Sequence, residues 1–185
     1  MSLTTQQQAT LKAFVLADPV LNLQPPTSDG AFAIAAALNR PDPGGYLVWR
    51  SSTDADAILD AITWANLTPA DAPDGTTAFT NRALACQAKQ LNIQIMLQGR
   101  GSLGTGKQTI RAGLSDALTN VPAGAGGALL DAGWFGAGKV KAAITRTATV
   151  LEKLFATGAG TAGTPGVLVV ERSLSYDEVV VAMGW

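Results

Sequence analysis

The sequence predicts a mainly α-helical protein, a bundle of about five to six helices with a small β element and a flexible C-terminal arm. Three observations support this fold class. Apolar residues recur at helical spacing in several segments, capping residues precede those segments, and proline- or glycine-rich breaks separate them. Because a Gly-, Ala- and Thr-rich stretch follows the last long helix, we expect a helical core over residues 1–157. Residues 158–185 are then a glycine-rich linker and a C-terminal docking segment.

The first two helices are predicted before residue 40. Thr5 and Gln8 have the spacing of a capping box, and the first helix ends before Pro19 because the residue preceding proline avoids the α region. Ser28, or the aspartate after it, can cap a second helix that runs through Asn39. The apolar residues expected inside these helices are Leu11, Phe14, Val15, Phe32, Ile34, Ala35 and Leu38.

The middle of the chain is predicted to hold two more helices. Residues 46–50 are aromatic and β-branched, and form a strand or an extended packed segment. A third helix follows, capped by Ser52 or Thr53. The fourth, residues 76–98, has the longest helical period, which favours helix over strand at its end, and Gly99 is expected to stop it. Its main apolar stripe is Leu84, Ala88, Leu91 and Ile95.

The last third is predicted to alternate between helices and flexible loops. A fifth helix is centred on Leu114, and a sixth spans residues 139–156. Residues 167–170 are the best strand candidate because all four are apolar and three are β-branched. A capping box at Ser175 predicts a short final helix over residues 176–183.

The composition removes most of the usual catalytic and metal-binding chemistry. The chain of 185 residues has no histidine and a single cysteine, Cys86, which lies among apolar helical residues and is expected to be buried and inert. Neighbouring acids such as Asp177 and Glu178 lie at predicted helix starts, where capping explains them better than a Ca²⁺ site. We therefore expect no enzyme activity, catalytic residue, metal or cofactor.

Charge and hydropathy exclude two further classes. The net charge is −1 and no basic block occurs, so duplex binding driven by counterion release is not expected. No run of about 18 apolar residues is present, and the N-terminus lacks the pattern of a secretory signal, so we expect no membrane partner. Cationic residues concentrated in the second half are expected on a solvated face: Arg100, Lys107, Arg111, Lys139, Lys141, Arg146 and Lys153.

One motif carries a specific alternative. Residues Gly101–Lys107 match the G-x-x-x-x-G-K pattern of a phosphate-binding loop, in which backbone N–H groups cradle phosphate and the lysine reaches its end. The next position should hold Ser or Thr for Mg²⁺, but it holds Gln108. We therefore interpret the segment as a mobile loop between helices and keep a nucleotide-binding enzyme as the competing hypothesis.

Aromatic residues are the best candidates for an interface. Trp185, which follows Gly184, is either an anchor for a partner or packed back on its own chain. Tyr176 and Val181 are expected to share its docking role, with Lys107 as a second choice. Three tryptophans are expected in or near the core: Trp49, Trp64 and Trp134. Trp134 lies in a glycine-rich stretch and is alternatively an exposed plug for a neighbour's pocket.

Five stretches of the sequence, taken together, resemble a known protein family. The stretches that carry this resemblance are Ser28–Ala35, Ile62–Pro69, Thr80–Gln87, Ile110–Leu114 and Glu152–Gly158. Together they resemble a family of small proteins encoded in the structural gene clusters of tailed phages and prophages. The resemblance covers most of the chain and includes no catalytic signature.

The resemblance implies a virion component assembled in the host cytoplasm. Within that class the chain is most similar to neck proteins, the head-to-tail connectors or adaptors. These form an oligomeric ring beneath the portal protein, contact a tail or nozzle protein and continue the DNA channel, where contact with packaged DNA is non-specific. Two other structural roles remain open, a capsid decoration protein and a tail-end stopper or terminator.

Overall fold

The computed structural model describes residues 2–67, 79–119, 121–122, 129–130 and 139–185. The chain divides into two compact units. Unit 1 combines both ends of the chain, Met1–Val48 and Thr147–Trp185, and unit 2 is the continuous middle, Trp49–Arg146. The chain passes from one unit to the other after Val48 and after Arg146, and the boundary expected between residues 157 and 158 lies inside unit 1.

Within the described ranges, the protein is mainly α-helical, as predicted, with more helices than expected. The α-helices are α1 (Thr5–Ala17), α2 (Ser28–Leu38), α3 (Ala55–Ala61), α4 (Phe79–Leu97), α5 (Gln108–Leu118), α6 (Lys139–Ala143), α7 (Val150–Phe155) and α8 (Tyr176–Met183). Two 3₁₀ helices span Leu21–Leu23 and Trp64–Leu67. None of these helices is both long enough and apolar enough to cross a bilayer.

The β structure consists of short pairs. The strands are β1 (Leu47–Trp49), β2 (Thr53–Asp54), β3 (Ser102–Leu103), β4 (Val121–Pro122), β5 (Leu129–Leu130) and β6 (Thr145–Thr147). They form two-stranded sheets in the orders β1-β6, β2-β3 and β4-β5. The last two pairs are antiparallel, with Thr53 opposite Leu103 and Val121 opposite Leu130.

Unit 1 is built around helices that begin at side-chain caps. The hydroxyls of Thr4, Thr27, Thr149 and Ser175 accept backbone N–H bonds at the starts of α1, α2, α7 and α8. The first capping box is Thr4 with Gln7, one residue earlier than predicted, and the box at Ser175 is confirmed. The buried core side chains of this unit include Leu11, Val15, Ile34, Leu38, Leu151, Leu174 and Val179.

The C-terminal residues belong to that core. Val179, Ala182 and Met183 of α8 are buried, and the Asn39 side chain bonds both the N–H and the carbonyl of Leu174, at 2.8 and 2.9 Å. The predicted flexible C-terminal arm is therefore wrong, because α8 buries one apolar face against α1 and α2.

Unit 2 has its own core between α3, α4, α5 and α6. The buried side chains that fill it include Ile58, Ile62, Leu67, Ile93, Leu97, Leu114, Leu118, Val140 and Ile144. The predicted helix over residues 92–97 is confirmed, and Gly99 ends α4 with a positive φ of 69°. Cys86 is buried here as expected, and burial raises the pKa of its thiol.

Two predicted elements differ from the structure. The sixth helix is broken between residues 144 and 149, where β-branched Thr145 and Thr147 lie in β6 and Thr149 caps a new helix, α7. Residues 167–170 do not form a strand, because only Val167 exchanges backbone hydrogen bonds, with Thr157, in an isolated bridge.

Candidate functional site

The glycine loop, Gly101–Lys107, contains β3 and leads directly into α5 in unit 2. A phosphate-binding loop follows a buried strand in a βαβ unit. Here helix α4 precedes the loop, and β3, the only strand within the described residues 79–119, lies inside the motif, is two residues long and pairs antiparallel with β2. The loop therefore lacks the strand context that the motif requires.

Three backbone N–H groups of the loop are already hydrogen bonded within the protein. The amide of Thr105 donates to the Leu103 carbonyl at 2.9 Å, and that of Lys107 to the Gly104 carbonyl at 3.0 Å. The amide of Gly106 donates to the Ser51 carbonyl at 3.1 Å. Phosphate binding needs such amides to be free and convergent, so this conformation offers no cradle.

The loop is held against the segment that follows β1. The Thr105 side chain is fully buried, donates to the Arg50 carbonyl at 2.8 Å and lies 3.0 Å from the Thr53 hydroxyl. A Cβ atom on Gly106 would lie 3.1 Å from Cα of Ser51, so glycine permits a close approach of two backbones. The sequence predicts a mobile loop, and this prediction is wrong, because these contacts hold the loop in one position.

Arg111 closes the other side of the loop from the first turns of α5. Its guanidinium donates to the carbonyls of Thr105, at 3.0 Å, and Gly106. It also lies 4.8 Å from the ring centroid of Trp49, and burial lowers the pKa of Arg111. Sequence reasoning counted this arginine among surface cations. Its position four residues after Lys107, one helical turn into α5, is the signal that would have identified its role.

Lys107 itself does not take part in this arrangement. The residue is exposed and lies at the N-cap position of α5, where its side chain makes no capping bond. Other second-half cations are partnered: Lys141 is buried, 5.7 Å from the Trp49 ring, and Lys153 pairs with Asp42. The predicted solvated cationic face is therefore wrong for Arg111 and Lys141, whereas Lys153 is exposed as predicted although it is paired.

Two buried or half-buried ion pairs in unit 1 were not predicted. The Lys153 ammonium lies 2.8 Å from Oδ1 of Asp42, and the Tyr46 N–H donates to Oδ2 at 3.0 Å. Burial opposes ionisation of Asp42, but the ion pair and the backbone donors outweigh it and lower its pKa. Arg172 pairs with Glu178 in the same way, and although burial opposes ionisation of Glu178 too, its pKa is also lowered.

The predicted interface residues in the C-terminal segment lie on the surface of unit 1. Tyr176, Val181 and Trp185 are 38%, 62% and 37% exposed. Tyr176 stacks on Phe32, with ring centroids 4.5 Å apart, and the Asp177 carboxylate raises the pKa of its phenol. Phe32 is itself 54% exposed and does not lie in the core as predicted. The Trp185 amide donates to the Val180 carbonyl at 3.1 Å, which holds its backbone against the end of α8.

The remaining candidate residues, the other three tryptophans, differ in their surroundings. Trp134 lies outside the described residues. Trp49 packs against the core of unit 2, as expected, whereas Trp64 is 48% exposed. Among the described side chains, no group of three or more His, Cys, Asp or Glu residues could hold a metal ion.

Comparison of the chain with protein-family models, with curated protein sequences and with solved structures finds no match. The resemblance to phage structural proteins therefore stays a prediction from the running sequence.

Proposed function

We propose that this chain is a structural protein of a tailed-phage particle. In this proposal it forms an oligomeric ring at the head-tail interface, joins the portal to a tail or nozzle protein, and lines the DNA channel. It carries no catalytic role. The proposal rests on the resemblance in five stretches of sequence, and the physical properties of the surface support it.

One observation carries the interface part of the proposal. Helix α8 buries Val179, Ala182 and Met183 in unit 1, yet Tyr176, Val181 and Trp185 remain exposed to solvent. Aromatic side chains contribute most to binding energy when a partner covers them. A helix that is anchored by one face and leaves apolar side chains on another is suited to docking.

The competing hypothesis, a nucleotide-binding enzyme, has weaker support. Three amides of the glycine loop are bonded internally, and Lys107 is exposed without a surrounding cradle. We expect that Lys107→Ala leaves particle assembly unchanged and that the purified protein binds no ATP in calorimetry. Saturable ATP binding that this substitution abolishes would replace our proposal with the enzyme hypothesis.

Copy number distinguishes a ring protein from a decoration protein, and the position of the ring distinguishes the neck from the tail end. Quantitative mass spectrometry of purified virions, scaled to the major coat protein, should give the copies of a single ring. Hundreds of copies would identify a decoration protein, and absence from the particle would remove the structural proposal. A single ring found at the tail end, by labelling in electron micrographs, would identify the stopper or terminator.

Two exposed valines of unit 1 provide a matched test of the interface. Val181 is 62% exposed and belongs to the proposed docking surface, whereas Val169 is 63% exposed and does not. We expect Val181→Glu to reduce incorporation into virions at least tenfold, a loss of about 1.4 kcal/mol or more of binding. Val169→Glu should be incorporated normally, and equal incorporation of both variants would contradict the role of α8.

A further inference from the structure

The aromatic pair on the surface of unit 1 is flanked by two carboxylates. Phe32 of α2 and Tyr176 of α8 stack on each other, yet both residues are exposed. Asp29 lies one helical turn before Phe32, and Asp177 directly follows Tyr176. Both acids are exposed, and within the part of the chain that the structure describes neither forms an ion pair. This surface therefore combines aromatic rings with unpaired negative charge.

Such a surface is suited to an arginine side chain of another chain. The planar guanidinium can stack on an aromatic ring while it donates two hydrogen bonds to a carboxylate. Three of the four cations of unit 1 are already hydrogen bonded or ion-paired within the chain: Lys12, Lys153 and Arg172. The fourth, Arg40, follows the end of α2 that is opposite Asp29. In the contacts that the structure describes, unit 1 therefore supplies no cation to its aromatic pair.

The distribution of charge along the chain favours an arginine from unit 2 of a second copy. Unit 1 has four cationic and seven acidic residues, a net charge of −3, whereas unit 2 has nine and seven, a net charge of +2. Opposite charges attract the two units of different copies, and like charges disfavour a contact between two copies of unit 1. A contact between two different surfaces of one chain is heterologous, which is the type that a ring of more than two subunits uses.

Arg100 is the arginine of unit 2 that is placed for such a contact. It is exposed in the turn after α4, between Gly99 and Gly101. A Cβ atom on either glycine would have no neighbour within 4 Å, so the space on both sides of Arg100 is open. Its backbone is held in place, because the Arg100 N–H donates to the Leu97 carbonyl at 3.1 Å and the Ala55 N–H donates to the Gly101 carbonyl at 3.0 Å. A backbone that is already fixed loses less entropy on binding.

The other arginines that the structure describes in unit 2 are engaged within the chain. Arg50 donates to the Thr145 carbonyl at 3.0 Å, and Arg111 closes the glycine loop. Arg146 also has a partner. Among these described side chains, Arg100 alone makes neither an ion pair nor a hydrogen bond, so its guanidinium can bind another copy without breaking a contact of its own.

We propose that Arg100 of one copy stacks on Phe32 and Tyr176 of the next copy and pairs there with Asp177 and Asp29. This inference rests on the proposed function, because it names a contact between neighbouring subunits of the proposed ring. The contact is measured on the purified chain and the ring on virions. A protein found in virions as a ring but failing the test on the purified chain would therefore keep its proposed function and lose only this contact.

Sedimentation velocity over about 1–300 μM, at low salt, tests the contact in the range of Kd expected for a small interface. The wild-type chain should grow past the dimer, because a heterologous contact leaves one surface open at each end. Asp177→Lys and Arg100→Glu should each weaken association at least tenfold, since each places like charges opposite one another. Lys139→Glu makes the same change of charge at an exposed cation of α6 and should associate like the wild type.

An equimolar mixture of the Asp177→Lys and Arg100→Glu chains provides the matched control. Each variant retains the surface that the other has lost, so the native contact can form between the two kinds of chain. We expect the mixture to recover association that neither variant shows alone. Recovery would also show that both variants are folded, since an unfolded chain could not restore a specific contact.

Four outcomes would overturn the proposal. The first is a wild-type chain that stays monomeric at the highest concentration, which would leave the aromatic pair to a cationic partner other than this chain. The second is association that survives either single substitution. The third is a mixture that does not recover association, and the fourth is a loss in Lys139→Glu as large as that in Arg100→Glu, which would indicate a general effect of net charge.

Discussion

The two units start their helices in different ways. In unit 1, side chains at Thr4, Thr27, Thr149 and Ser175 cap four α-helices, and three of these caps are reciprocal boxes. In unit 2, the N-cap positions of α3 and α5 hold Asp54 and Lys107, which make no capping bond. Unit 1 therefore relies on hydrogen bonds between residues three apart, whereas α5 relies on the distant contacts of Arg111, Thr105 and Arg50.

The helix starts of unit 1 are therefore specified by neighbouring residues, whereas the start of α5 in unit 2 depends on the tertiary fold. A capping box forms as soon as its own helix forms, because both partners lie within one turn. The contacts of the glycine loop join residues 50–53 to residues 105–111, so they form only when unit 2 is assembled. We expect the two units to respond differently to the substitutions described below, taken from the largest effect to the smallest.

Substitutions that create a cavity in either core should reduce the free energy of unfolding most. They also test whether the two units unfold independently. Leu38 of unit 1 and Leu114 of unit 2 are both fully buried. Leu38→Ala and Leu114→Ala should each reduce the free energy of unfolding by about 2–5 kcal/mol. Hydrogen exchange should increase mainly in the unit that carries the substitution. An equal increase throughout the chain would show one cooperative structure. Leu23→Ala, at an exposed leucine, is the control and should cost less than about 0.5 kcal/mol.

Loss of the arginine that closes the glycine loop should have the next largest effect. Arg111→Met removes the donors to the carbonyls of Thr105 and Gly106 and the cation over Trp49. We expect the free energy of unfolding to fall by about 2–3 kcal/mol. Chemical denaturation measures this, and Arg100→Met, at an exposed arginine, should be nearly neutral. Equal stability of the two variants would mean that Arg111 does not hold the loop.

The Asp42 ion pair should make unit 1 sensitive to acid. Since the folded pKa of Asp42 lies below its ordinary value, its stabilising contribution is complete above about pH 4 and is lost as the pH falls through the folded pKa. Asp42→Asn should cost about 1–2 kcal/mol at pH 7, because the Lys153 ammonium is partly exposed. At pH 2–3 the difference from wild type should shrink. Denaturant midpoints at the two pH values measure this, and a constant difference would contradict the ionic role.

Substitutions at helix N-cap positions should have the smallest of these effects on the free energy of unfolding. They also allow a direct comparison of the two units. Ser175→Ala removes the hydroxyl that accepts the Glu178 N–H and should cost about 1 kcal/mol. Asp54→Ala occupies the same position on α3, where no capping bond exists, and should change the free energy of unfolding by a few tenths at most. Thermal unfolding of the two variants provides the comparison. If Asp54→Ala cost as much as Ser175→Ala, the contrast between the units would disappear.

The same contrast explains which features the sequence could predict. The box at Ser175 and the glycine stop at Gly99 are local signals, and both were predicted correctly. The role of Arg111 was missed because one of its partners, the ring of Trp49, is far away in the sequence. Only the two loop carbonyls are its neighbours along the chain. The apolar stripe at Leu84, Ala88, Leu91 and Ile95 was predicted, but its exposure was not, because periodicity identifies an apolar face without saying what covers it.

The division of the chain has a consequence for its synthesis. Unit 2 is one continuous segment, so all of Trp49–Arg146 is synthesised before residues 147–185. Unit 1 cannot fold until later, because its first 48 residues find their partners α7 and α8 only after residues 147–185 have been synthesised. Until then, apolar residues of α1 and α2 such as Leu11 and Ile34 are without their C-terminal partners. These first 48 residues are therefore the part of the nascent chain that most needs protection by chaperones.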